Sequence, residues 1–105
     1  MTKDELLQMI ERDKLILFYF KGSQCSACLA LYPKVKQMIQ QYSQVHLQVI
    51  QLDEEPELAA YLNIYSVPAV LLYVDGREYI KEAGIFSVQT LEDKIKRLVD
   101  LINED

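Results

Sequence analysis

Leu15-Ile16-Leu17-Phe18-Tyr19-Phe20-Lys21-Gly22-Ser23-Gln24-Cys25-Ser26-Ala27-Cys28 decides the reading of this chain. Its first six residues are apolar at every position, partly aromatic, and end at a Lys-Gly-Ser-Gln break. A run that short and apolar on both sides fits a central strand covered by helices on each face. From Cys25 the apolar positions Cys28, Leu31, Tyr32, Val35, Met38, Ile39 and Tyr42 recur at intervals of three and four, the spacing of a long amphipathic helix. Strand, short loop and helix therefore meet at a Cys-x-x-Cys. Pro33, inside the helical stretch, removes one backbone hydrogen bond and predicts a kink there.

Working outward, Val45 to Leu52 reads as a second strand with Val45, Leu47 and Val49 on one face, which completes a βαβ unit. Upstream, Thr2-Lys3-Asp4-Glu5 has the form of a capping box, and Leu6, Leu7, Met9 and Ile10 follow at helical spacing, so a first helix is expected over Thr2 to Asp13. Downstream, Glu55-Pro56-Glu57 suits a helix start, with the helix ending near Asn63. Ala69 to Val74 is a third strand, Asp75-Gly76 a hairpin turn and Arg77 to Ala83 a fourth strand, which Gly84 ends or bulges. Ser87 can cap a last helix whose Val88, Leu91, Ile95, Leu98, Val99 and Ile102 form one stripe. The order predicts an α/β fold: one domain over residues 1–105, with a mixed four-stranded sheet flanked by helices on both faces.

Composition narrows the class further. At 105 residues one core is expected, and 50% hydrophobic against 26% charged excludes intrinsic disorder. The longest apolar run is the six residues Leu15 to Phe20, where a bilayer-spanning helix needs about 20, so no membrane partner is expected. Asp4, Glu5 and Glu11 stand where a secretory signal would be basic and then apolar, which makes the cytoplasm the expected location. A net charge of −5 argues against a nucleic-acid partner. That charge is uneven: residues 14–52 hold Lys14, Lys21, Lys34 and Lys36 and no acid, so this window is +4 and the remainder −9. Both cysteines lie in the acid-free window.

A cysteine at a helix start lies near unsatisfied amides and the positive end of the helix dipole, which favours its thiolate. Cys25 is thus the better nucleophile. Cys28, one turn further in, is close enough to attack a mixed disulfide at Cys25, and its deeper position disfavours its own thiolate. Zinc normally takes four ligands, and only Cys25, Cys28 and His46 offer sulfur or imidazole, so no metal is expected. His46 reads as a surface residue without a role, Phe18, Tyr19 and Phe20 as core, and Asp53-Glu54-Glu55 as a solvated helix start.

With those residues in place the chain resembles the thioredoxin family over nearly its whole length. Pro33 is similar to the family's helix-kinking proline, Val67-Pro68 to its cis-proline facing the dithiol, Asp75-Gly76 to its hairpin turn and Gly84 to the glycine lining its substrate groove. The resemblance implies a thioredoxin-like fold in which a leading helix replaces the first thioredoxin strand. It implies a thiol–disulfide oxidoreductase that reduces or exchanges protein disulfides, with Cys25 attacking and Cys28 resolving. Gln24, Ser26, Ala27, Val67, Pro68 and Gly84 would contact substrate, and Pro33 and Gly76 would be structural. No cofactor is implied beyond the redox-active Cys25–Cys28 disulfide. The implied partners are disulfide-containing proteins and a reductase or thiol electron donor, met by a monomer.

The departures are specific. The family usually has Trp-Cys-Gly-Pro-Cys, whereas here Gln24 precedes the motif and Ser26-Ala27 fill it, positions that tune redox potential. The family's buried Asp aligns with Tyr19 and that residue's lysine partner with Gln51. The acid-free window should favour the Cys25 thiolate, and the resolving step should depend on water or Tyr19. Two other classes compete: a binding module or redox-switch adaptor presenting the groove around Pro68 and Gly84, and a metal carrier. The intact Cys-x-x-Cys favours the first reading over the adaptor.

Overall fold

Why the central strand is buried on both sides is visible in the computed structural model, which describes residues 1–103. Strand β1 (Leu15–Lys21) pairs in parallel with β2 (His46–Gln51) and antiparallel with β3 (Ala69–Val74), which pairs antiparallel with β4 (Arg77–Ala83). The sheet order is β2-β1-β3-β4. Alternate side chains of β1 point to opposite faces. Leu15, Leu17 and Tyr19 join Val70 and Leu72 under helices α2 (Ser26–Ile39) and α4 (Val88–Asn103), through Val35, Met38, Leu91, Ile95 and Val99. Ile16, Phe18 and Phe20 join Leu71 under α1 (Lys3–Arg12) and α3 (Pro56–Leu62), through Leu6, Ile10, Leu58 and Leu62. Helix α1 precedes β1, so the chain opens on a helix as expected.

Local chemistry accounts for the boundaries. The capping box forms: Glu5 N–H donates to Thr2 Oγ1 at 3.2 Å and Thr2 N–H to Glu5 Oε1 at 3.0 Å. Ser87 Oγ accepts Thr90 N–H at 3.3 Å at the start of α4. Helix α3 begins at Pro56 and ends at Asn63 with φ 58°, where the Lys81 ammonium donates to the Leu62 and Asn63 carbonyls. The hairpin turns on Asp75 (φ 49°) and Gly76 (φ 81°), the two positive angles its tight geometry demands.

Three boundaries differ from expectation. Helix α2 stops at Ile39, because Gln41 and Tyr42 donate to carbonyls only three residues back and tighten the last turn. Val45 lies outside β2, its amide committed to Tyr42 O. Leu52 opens a short 3₁₀ turn, Leu52–Glu54, instead of ending a strand. Helix α2 continues through Pro33 without a break.

Candidate active site

Residues 22–24 carry the chain from the carboxyl end of β1 into α2, and Cys25 is the N-cap of that helix. Its Sγ accepts the Cys28 amide at 3.1 Å, one of the amides that a helix start leaves without a backbone partner. Cys25 and Cys28 are joined as a disulfide. Cys25 is half-buried, whereas Cys28 is 1% exposed. The two residues therefore differ in access: one is partly open to solvent and the other is closed off from it.

Gly22 explains how the chain approaches so closely. A Cβ at Gly22 would lie 3.3 Å from Val67 Cγ2 and 3.5 Å from Cys25 Cβ, so this glycine sits wedged between the dithiol loop and the segment before β3. The Val67–Pro68 peptide there is cis. Gly84, at φ 79°, donates its amide to the Pro68 carbonyl at 2.9 Å and ties the end of β4 to the same segment. A groove of about 360 Å³ runs between these segments and α2; Ala27, Leu31, Lys34, Pro68, Ile85 and Phe86 are among its lining residues. Lys34 is the one charged residue among those that line it.

Of the residues singled out from the sequence, Ala27, Val67, Pro68 and Gly84 share this groove beside the dithiol. Gln24 and Ser26 are exposed next to the cysteines but do not line it. Pro33 lies inside α2 and Gly76 at the β3–β4 turn, and neither lines the groove. Gly22, Ile85 and Phe86 escaped the sequence reading. Ile85 had a signal in principle, as an apolar residue directly after a strand-ending glycine.

Two expectations about charge need correction. The acid-free window is not acid-free in space, because Asp53 folds back onto the loop: its carboxylate accepts Ser23 N–H at 3.2 Å and also the Ser23 hydroxyl. The Ser23 hydroxyl bond is the main reason the Asp53 carboxyl is held below its ordinary pKa. Asp53 is therefore a loop clasp, where the run Asp53-Glu54-Glu55 alone suggested only a solvated helix start. Tyr19 is the second correction. Its hydroxyl donates to the Cys28 carbonyl at 2.8 Å, and burial, then the neighbouring Tyr32, push its pKa up. A neutral phenol whose proton is already committed is a poor base.

A four-stranded mixed sheet with helices on both faces, a helix-capping disulfide and an apolar groove beside it define a thiol–disulfide oxidoreductase. Comparison with known proteins gives the same answer. The family described as "Thioredoxin" matches residues 1–97. Thioredoxin-like protein YdfQ of Bacillus subtilis is 30% identical over 92 residues, covering 88% of this chain and 82% of that one. Thioredoxin-1 of Schizosaccharomyces pombe is 30% identical over 92 residues, covering 88% of both. Among solved structures, oxidized mitochondrial thioredoxin 3 from Saccharomyces cerevisiae superposes with a TM-score of 0.82 at 26% identity, over 90% of this chain and 88% of that one. The chain belongs to the thioredoxin family.

Proposed function

We propose that this protein reduces disulfides in other proteins, with Cys25 as the attacking thiolate and Cys28 as the resolving thiol. The Cys25 thiolate attacks one sulfur of a substrate disulfide; a Cys25–substrate bond forms, the substrate S–S bond breaks, and the departing thiolate takes a proton. Cys28 then loses its proton and attacks Cys25 Sγ. The Cys25–Cys28 bond forms and the second substrate thiolate leaves, so two electrons have passed to the substrate. Another dithiol protein or a low-molecular-weight thiol returns them.

The observation that carries this reading is the asymmetry of the pair. Cys25 caps the helix, half-buried, with its sulfur accepting the Cys28 amide, and Cys28 is buried behind it. Amides at a helix start favour the thiolate at Cys25, and burial disfavours it at Cys28. Substrate would dock its backbone along Val67-Pro68 and Gly84 and lay apolar side chains in the groove over Ala27. The protein works as a cytoplasmic, single-domain monomer without a bound cofactor beyond its own disulfide.

Turnover of a protein disulfide by the wild type, Cys25→Ser and Cys28→Ser tests the assignment. Wild type is expected to reduce it, Cys25→Ser to be inactive, and Cys28→Ser to accumulate a mixed disulfide at Cys25. Retention of activity by Cys25→Ser would overturn the order of attack. Binding of a protein partner without any disulfide reduction would favour the adaptor reading.

A further inference from the structure

Beneath the dithiol lies a phenol whose hydroxyl is bonded to the backbone of one cysteine. Tyr19 is 0% exposed and stands on the central strand, paired with Val49 on one side and Val70 on the other. Its hydroxyl donates to the Cys28 carbonyl at 2.8 Å, and its ring centroid is 5.4 Å from that of Tyr32, one turn beyond Cys28 on α2.

The place where that donor arrives matters. In an α-helix each carbonyl receives the amide four residues on. Pro33 has no amide, so the Leu29 carbonyl goes without its helical donor. The adjacent carbonyl, that of Cys28, receives the hydroxyl from the sheet. The turn holding both cysteines thus lacks one donor through Pro33 and gains one through Tyr19. Among the described residues Cys25 shows no comparable tie: its sulfur accepts the Cys28 amide and its carbonyl the Leu29 amide, both within the same turn. Among the described residues, one cysteine is fastened to the most embedded strand and the other only to its own helix.

We propose that Tyr19 is a positioning residue for the resolving half-reaction, its hydroxyl fixing the Cys28 backbone to the sheet so that the buried sulfur meets Cys25 Sγ. The proposal rests on Cys28 being the resolving thiol. In that step Cys28 gives its proton to water, its sulfur bonds to Cys25 Sγ, the Cys25–substrate bond breaks, and the leaving substrate thiolate is protonated in turn. Tyr19 neither gives nor takes a proton. It acts on geometry, to which exchange between sulfurs is sensitive because the attacking sulfur must line up with the bond it breaks.

Tyr19→Phe keeps the ring and removes only the donor. The reduced protein is mixed with an aromatic disulfide, dithiobis(nitrobenzoate), that liberates one coloured thiolate on attack and a second on resolution. The second release is expected to slow roughly five- to tenfold, the worth of one hydrogen bond, with the first unchanged. In the Cys28→Ser background, where only attack occurs, Tyr19→Phe should have no effect, which also reports that the helix start is folded. An unchanged second release would overturn the proposal, as would equal slowing of both releases. Loss of an inflection in the pH profile of the second release would make Tyr19 a proton acceptor and overturn it too. In the unmutated protein the Tyr19 hydroxyl proton should exchange slowly by NMR in both redox states; its loss on reduction counts against the proposal without relying on any variant. Failure of Cys28→Ser to hold a mixed-disulfide adduct, read as a second coloured thiolate released only when an external thiol is added, would instead sink the assignment of the two cysteines on which this rests.

Discussion

Asp53 holds the loop in front of Cys25 from 30 residues away. Its carboxylate is kept below the ordinary pKa, chiefly by the Ser23 hydroxyl, then against the cost of partial desolvation and with the Ser23 amide assisting. A carboxyl whose pKa is lower folded than unfolded stabilises the fold above its unfolded value, and that contribution is lost as pH falls through the folded one. The Ser23 amide resonance is therefore expected to titrate with a midpoint below the ordinary aspartate value, and to lose that titration in Asp53→Asn. A midpoint at or above the ordinary value would show that Asp53 does not clasp the loop. No local pattern announces such a contact. Cys25 and Cys28 were legible because their chemistry depends on neighbours within one turn, whereas the Ser23–Asp53 pair exists only once β2 returns alongside β1. Tyr19 is legible as core, but the direction of its hydroxyl is not, since it depends on how α2 sits on the sheet.

At the scale of elements, the two left-handed glycines do different work. Gly76 has nothing within 4 Å of where a Cβ would be, and Gly84 has only Ser66 Oγ at 4.0 Å, so replacing either meets backbone strain without a clash. A left-handed angle costs an ordinary residue about 1–2 kcal/mol. Gly76→Ala and Gly84→Ala should each lower urea-derived stability by about that much. Disulfide reduction should be unchanged in Gly76→Ala and show a raised KM in Gly84→Ala, because only Gly84 lines the groove. Equal KM values would mean that substrate does not use this edge. The bounds of β3 and β4 were fully legible from the apolar run Ala69 to Val74 and the Asp75-Gly76 turn that breaks it. The ends of α2 and β2 were less so, because tight turns near Tyr42 and Leu52 are set by hydrogen bonds that leave no compositional mark.

Across the whole molecule, apolar residues fill two layers, one on each face of the sheet, and a few are left outside. Ile85 is 105% exposed and Leu29 72%, both near the dithiol in the chain or the groove. A fully solvated isoleucine contributes nothing to folding, so Ile85→Ser should alter stability by less than about 0.5 kcal/mol. If it meets substrate, its loss should raise KM for a protein disulfide roughly five- to tenfold at unchanged kcat. Steady-state kinetics beside thermal unfolding separate the two effects, and an unchanged KM would remove Ile85 from the docking surface.

The alternation of β1 has one more consequence, for fidelity of folding. Side chains of a strand repeat every two residues, so a slip of one residue would turn Tyr19 toward α1 and α3 and put a phenylalanine under the dithiol. Such a chain could still bury an apolar strand on both faces, since every residue from Leu15 to Phe20 is apolar enough to serve on either. What it would lack is a hydroxyl beneath Cys28. Hydrophobicity is nearly blind to this error, whereas the hydroxyl bond from Tyr19 to the Cys28 carbonyl is made only in the right alignment.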